Sequence, residues 1–186
     1  MADLKGKAIA VQPRGNTAED ITRHVLQVYG LDYSKMAKVN FVSYTDAVEQ
    51  MKDGHTQAFT LGTTVPASSV MDLSTVRDIK ILDLGEKIAD MKKINPGYTL
   101  NTIKAGTYPK ITQDVKVVGY ATHLVVSCKL PEAQVHAMTK AIAANVADMA
   151  AINKAMGGLT PKMMAEDIGV PLHAGARKFY KEAGAL

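Results

Sequence analysis

The sequence predicts an α/β fold, and three observations carry that reading. Short apolar runs of strand length recur through the first half of the chain, at residues 7–11, 39–42, 58–61 and 79–82. Between them lie segments with apolar residues at helical spacing and with capping signals at their starts. From Pro131 onward the helical pattern takes over. Strands alternating with helices point to a parallel sheet with covering helices, because parallel neighbours need a long crossover between them.

Each element has a local reason. Residues 7–11 are short, apolar and followed by Pro13, as a buried strand requires. Gln12-Pro13-Arg14-Gly15-Asn16 is a turn by composition. Asn16 with Glu19 three residues on matches a capping box. Ala18, Ile21, Val25 and Val28 then follow at helical spacing until Gly30. Residues 39–42 are a second strand, and Thr45 caps a short helix over 46–52, closed by Asp53-Gly54. Residues 58–61 are a third strand, and Pro66 sits in the first turn of a helix running to Leu73. Residues 79–82 are a fourth strand.

The rhythm then changes. A helix over 87–94 is stopped by Asn95-Pro96-Gly97, residues 98–103 alternate as a strand, and 105–109 form a turn. Residues 115–127 are long, apolar and β-branched, and read as a strand that runs from one lobe into another. Pro131 opens the longest helix, with Val135, Met138, Ile142, Val146, Met149 and Ile152 on one stripe before Gly157-Gly158. Thr160-Pro161 starts a short helix stopped by Gly169, and a last helix covers 174–182. There are no internal repeats.

Composition excludes several classes. The 186 residues carry 22 Lys and Arg against 18 Asp and Glu, a net +4 that is scattered rather than gathered into a nucleic-acid stripe. Aromatic residues make up 5% and Trp is absent, which disfavours a base-stacking platform. The one cysteine, Cys128, forms no internal disulfide and supports no thiolate zinc cluster. No apolar stretch approaches the roughly 20 residues that span a bilayer. The first residues show no charged and apolar regions of a secretory signal.

Two turns are the best candidates for chemistry. Pro13, Arg14, Gly15, Asn16 and Thr17 follow a strand and open a helix, so backbone N–H groups and the positive helix end face whatever sits there. Arg14 adds a bidentate donor for carboxylate or phosphate. A plain capped turn is the competing reading. The turn is neither a Walker loop nor a dinucleotide fingerprint, because the required lysine and glycines are missing. Thr60, Gly62, Thr63, Thr64 and Pro66 make a second polar turn after a strand, against a surface loop as the alternative. Both lie where open parallel sheets bind ligands, beyond the carboxyl ends of the strands.

The remaining reactive residues read as structural. No histidine pair has metal-ligand spacing, and no cofactor is implied. His24 faces solvent, His136 packs, and His173 makes a hydrogen bond at a helix start. Ser127 and Cys128 lie outside any nucleophile motif, and Cys128 is expected buried. Met138, Met149, Met156, Met163 and Met164 fit helical core positions.

Four segments in register resemble one family. They are Leu4-Lys5-Gly6-Lys7 leading into Pro13-Arg14-Gly15-Asn16-Thr17-Ala18-Glu19; Asp53-Gly54-His55-Thr56-Gln57-Ala58-Phe59; Ala105-Gly106-Thr107-Tyr108 before Asp114-Val115; and Val170-Pro171-Leu172-His173-Ala174-Gly175-Ala176. Together they resemble the TAXI-type solute receptors of TRAP transporters. The resemblance implies a periplasmic-binding-protein type II-like fold, with the ligand between two lobes and the protein outside the cytoplasm. Residues 3–118 would be the second lobe, with strands and helices alternating. Residues 119–186 would be the crossing strand and a helical return to the first lobe, most of which would precede this chain.

The sequence departs from the family at three places. It has Gly15-Asn16-Thr17-Ala18-Glu19 for Gly-Ser-Gly-Thr-Glu, Gln57-Ala58 for Asp-Ala, and His173-Ala174-Gly175-Ala176 for His-Pro-Gly-Ala. The resemblance implies capture of a small organic anion, an amino acid or a carboxylate, by the two turns. It also implies TRAP membrane subunits as partners. An α/β enzyme with a phosphate in the same turn is an alternative, as is a half-receptor acting as an interaction module. The apolar stripe after Leu130 predicts either repacking within the chain or a homodimer.

Overall fold

The apolar run Ala8–Val11 becomes β1, the central strand of a three-stranded parallel sheet. It lies between β2, Lys38–Phe41, and β3, Ala58–Phe59, in the computed structural model, which describes residues 1–186. Ala8 pairs with Lys38 and Val11 with Phe41 on one side, and Ile9 pairs with Ala58 on the other. A strand with neighbours on both sides and helices on both faces has no solvated face, which is why β1 is apolar throughout.

The two faces of β1 are distinguishable. Ile9 and Val11 pack with Leu26 and Met36, and with half-buried Val39 and Phe41 of β2. Leu26 belongs to α1, Thr17–Val28. On the other face, Asn40 Nδ2, in register with Ala10, donates to Gln50 Oε1 at 2.7 Å. Gln50 belongs to α2, Tyr44–Lys52, whose Ala47 and Val48 are buried.

The fold class is α/β, as the alternation predicts, with the chain dividing into units Met1–Tyr120 and Ala121–Leu186. The first unit continues with α3, Ser68–Val76, and α4, Ile88–Ile94. Next comes an antiparallel pair of β4, Thr99–Ile103, and β5, Val115–Gly119. Ile103, Tyr108 and Ile111 form a second core with Val70 of α3 and with Ile81.

The second unit is helical: α5, Glu132–Ala144; α6, Val146–Ile152; α7, Pro161–Met164; and α8, Ala174–Glu182. α8 packs on α5, burying Val135 and Tyr180. Gly175 permits that approach, since a Cβ there would collide with the Glu132 carbonyl oxygen and lie 2.7 Å from the His136 nitrogen. His136 Nε2 lies 2.7 Å from Glu182 Oε2, and His173 Nδ1 accepts from Gly175 N–H at 3.1 Å, so both histidines are structural as expected. No helix is long and apolar enough to cross a membrane.

Several expectations are corrected, each for a physical reason. Residues 79–82 form no strand. Backbone there turns instead toward β5, where Asp83 accepts from Lys116 N–H at 2.9 Å and Leu84 N–H bonds the Lys116 carbonyl at 2.8 Å. The strand expected over 115–127 ends at Gly119, because Gly119 pairs with Thr99, the first residue of β4, and the ladder has no further partner. Leu124 and Val125 are consequently exposed.

The long helix breaks at Asn145, whose side chain donates to the Ala141 carbonyl at 2.7 Å and competes with the backbone. The single stripe is lost with it. Val135 is buried while Ile152 is 91% exposed. α2 starts at Tyr44 with Ser43, not Thr45, as its cap. α3 starts two residues beyond Pro66, and α7 stops at Met164, well before Gly169.

Side-chain placement differs too. The buried stripe of α1 is Ala18, Glu19, Thr22 and Leu26, while Ile21, Val25 and Val28 are half-buried. The capping box is half formed. Asn16 caps, but the buried Glu19 carboxylate instead accepts from Arg23 at 3.1 Å and from the Tyr33 hydroxyl at 2.9 Å. Burial, then that carboxylate, pushes the Tyr33 phenol far up, and the bond to Glu19 raises Arg23. His24 is half-buried, with Nδ1 at 2.7 Å from the Tyr98 hydroxyl. Cys128 is exposed. The buried methionines are Met36 and Met91, not the five at helical spacing in the second unit.

Candidate functional site

In the first unit the polar loop after β3 meets the first two turns of α1, which the 13–17 turn opens. The 13–17 turn leaves the carboxyl end of β1, and Thr60 follows β3, with Thr60 N–H extending the ladder to the Ala10 carbonyl at 3.0 Å. The hydroxyls of Thr60 and Thr22 of α1 are hydrogen-bonded at 2.8 Å. Gly62 closes the junction: a Cβ there would lie 2.7 Å from the Ala18 methyl and 2.8 Å from the Tyr120 hydroxyl. Tyr44 donates its hydroxyl to the Gly62 carbonyl at 2.9 Å. Burial, then the neighbouring Tyr44, raises the Tyr120 phenol. Glycine at 62 is therefore a packing requirement that joins this loop to α1.

The start of α1 is largely occupied by its own cap. Asn16 Oδ1 accepts from Ala18 N–H at 2.8 Å, and the Asn16 carbonyl takes the N–H groups of Glu19 and Asp20. Fewer donors face solvent here than an uncapped helix offers. Pro13, Arg14, Gly15, Asn16 and Thr17 are all exposed. The Arg14 guanidinium lies 4.4 Å above the Phe41 ring at the end of β2, a cation–π contact that holds it near the sheet edge. No carboxylate pairs with it.

Thr63 and Thr64 are exposed and line a cleft of about 610 Å³ with Tyr44, Thr45, Ser68 and Ser69. This cleft lies against the first turns of α2 and α3. No side chain caps α3, whose N-cap is Ala67. Ala67 N–H instead donates to the Tyr108 hydroxyl at 2.8 Å. The first-turn N–H groups of α3 therefore remain available. Glu49 and Asp72 also border the cleft, and Lys52 Nζ holds both, at 2.9 and 2.8 Å.

Gln57, where the resembled family has aspartate, is remote from both turns. It precedes β3, and its Oε1 accepts from Ala8 N–H at 3.0 Å at the opposite end of the sheet. Its task is to satisfy the first donor of β1. Sequence reasoning missed Tyr44 and Tyr120, which only folding brings to Gly62, and Ser68 and Ser69, which line the cleft with Thr63 and Thr64. It also missed Gln12, which is 3% exposed with its Nε2 unpartnered. A polar residue ending an apolar strand run was the available signal.

Residues 1–184 match the NMT1-like family. The chain belongs to that family. NMT1-like proteins are of the periplasmic solute-binding type and are binding proteins, not enzymes. The chain is also similar to a solved structure, the periplasmic aliphatic sulphonate binding protein SsuA from Escherichia coli, at 15% identity and a TM-score of 0.45. That match covers 97% of this chain and 49% of SsuA, so the chain spans about half of that protein's length.

Proposed function

We propose that this NMT1-like chain is the solute-binding receptor of a TRAP-type transporter of the TAXI class, working outside the cytoplasm. Its ligand is a small organic anion, an amino acid or a carboxylate. The observation that supports this is the junction of the loop after β3 with the start of α1, at the carboxyl ends of β1 and β3, beside a cleft rich in hydroxyl donors. Arg14 supplies the charge. Thr17 and Asn16 offer donors at the start of α1, Thr60 orients the junction, and Thr63 and Thr64 donate hydroxyl bonds. Pro13 and Gly15 shape the turn. The receptor passes its ligand to TRAP membrane subunits.

Isothermal titration with L-glutamate, succinate and ethanesulphonate tests the reading. Saturable binding that Arg14→Ala weakens supports it, and no heat from any of them at millimolar concentration refutes it. The exposed Ile152, at 91%, supports a second reading in which residues after Leu130 pair two copies of the chain. The mass in solution tests that, and a monomer at high protein concentration refutes it.

A further inference from the structure

Gln12 is a buried polar side chain that the fold does not use. It is 3% exposed, and its Nε2 has no hydrogen-bond partner. Buried amides are nearly always satisfied, so an orphan at a ligand-facing strand end calls for an acceptor from elsewhere. Its direction follows from the sheet. Val42 N–H bonds the Val11 carbonyl at 2.9 Å, so the ladder is still extended where Gln12 begins. Side chains alternate along it. Ile9 and Val11 face α1, whereas Ala10 shares its face with Asn40, which bonds Gln50 of α2. Gln12, two residues beyond Ala10, therefore faces α2, whose Tyr44, Thr45 and Val48 line the cleft.

We propose that Gln12 is the specificity-determining residue of the site, its Nε2 donating to an acceptor oxygen of the bound anion. This rests on the anion-receptor reading above. The ligand reaches the amide nitrogen from the α2 side, where Thr63 and Thr64 border the cleft and donate to the same anion. Gln12 selects solutes with an acceptor at that depth, and a solute presenting a donor there is rejected.

The test compares wild type with Gln12→Met and Gln12→Glu, using L-glutamate, succinate and ethanesulphonate as probes. Gln12→Met keeps length and removes the orphan donor, and Gln12→Glu replaces the donor by an acceptor. We expect each variant to lose about tenfold or more in affinity for the probe that wild type binds. Gln12→Met without ligand should melt at or above the wild-type temperature, since no native partner is lost. The Gln12 side-chain amide resonance of the wild type, assigned by its absence in Gln12→Met, should move on titration. Wild-type affinity retained in both variants overturns the role of Gln12 while leaving the receptor reading standing. So does a Gln12 amide resonance that stays still while the probe binds. Wild type binding none of the probes overturns both. A Gln12→Met protein that melts well below wild type reveals a structural partner and overturns the proposal.

Discussion

Gly62→Ala is expected to separate the loop after β3 from α1. The added methyl would lie 2.7 Å from the Ala18 Cβ and 3.4 Å from its Cα. Carbon atoms rest at about 3.5–4.0 Å, so the first turn of α1 or the Gly62 loop must yield by about 1 Å. The Tyr120 hydroxyl, at 2.8 Å, can swing aside, but Ala18 is fixed to the helix. Overpacking of this kind costs about 1–3 kcal/mol. Stretching the Thr22–Thr60 hydrogen bond adds about 0.5–1.5 kcal/mol. The lower entropy of an unfolded alanine offsets about 0.4–1 kcal/mol. The net expectation is a loss of about 0.5–4 kcal/mol, read from urea unfolding followed by circular dichroism.

Ala18→Gly supplies the control. Alone it destabilises, because helix propensity falls by up to about 1 kcal/mol. Combined with Gly62→Ala it removes the colliding methyl, so the double variant should be more stable than the two single losses predict. Anion binding should fall in Gly62→Ala and recover in the double variant. Additive losses, or a Gly62→Ala protein as stable as wild type, would refute the account of this junction.

Further outcomes follow from other contacts. Gly175→Ala should destabilise the helical unit by about 1–3 kcal/mol, since the new methyl meets α5 backbone that cannot rotate away, and amide exchange in α5 and α8 should quicken. Asn16→Ala should cost about 0.5–2 kcal/mol in urea unfolding through loss of the α1 cap. Bonds from Lys116 and Gly85 N–H hold the Asp83 carboxyl below the usual range. Its stabilisation is therefore complete above the ordinary carboxylate pKa of about 3.9 and is lost as pH falls through the lower folded value. The urea midpoint should drop on acidification, and Asp83→Asn should lessen that drop. Exposed Cys128 should react with a thiol reagent in the native protein as fast as in the unfolded one.

The local elements are legible in the amino-acid sequence. Four apolar residues before Pro13 suffice for β1, Asn16 for the start of α1, Gly30 for its end, and His173 for the cap of α8. These depend on backbone chemistry within a few residues, so they are legible one segment at a time. The sequence also marks both polar turns, because strand ends followed by turn residues are a local pattern. The remaining features depend on contacts between distant segments. Whether residues 79–82 become a strand depends on a neighbour, and the two-residue β3 offers no ladder to them. Whether Val125 is covered depends on the length of β4, and whether Glu19 completes a capping box depends on Tyr33 and Arg23 competing for its carboxylate. The meeting of Ala18, Tyr44, Gly62 and Tyr120 spans residues far apart in the chain. Packing and hydrogen-bond partners act between distant residues, and only folding makes those residues neighbours.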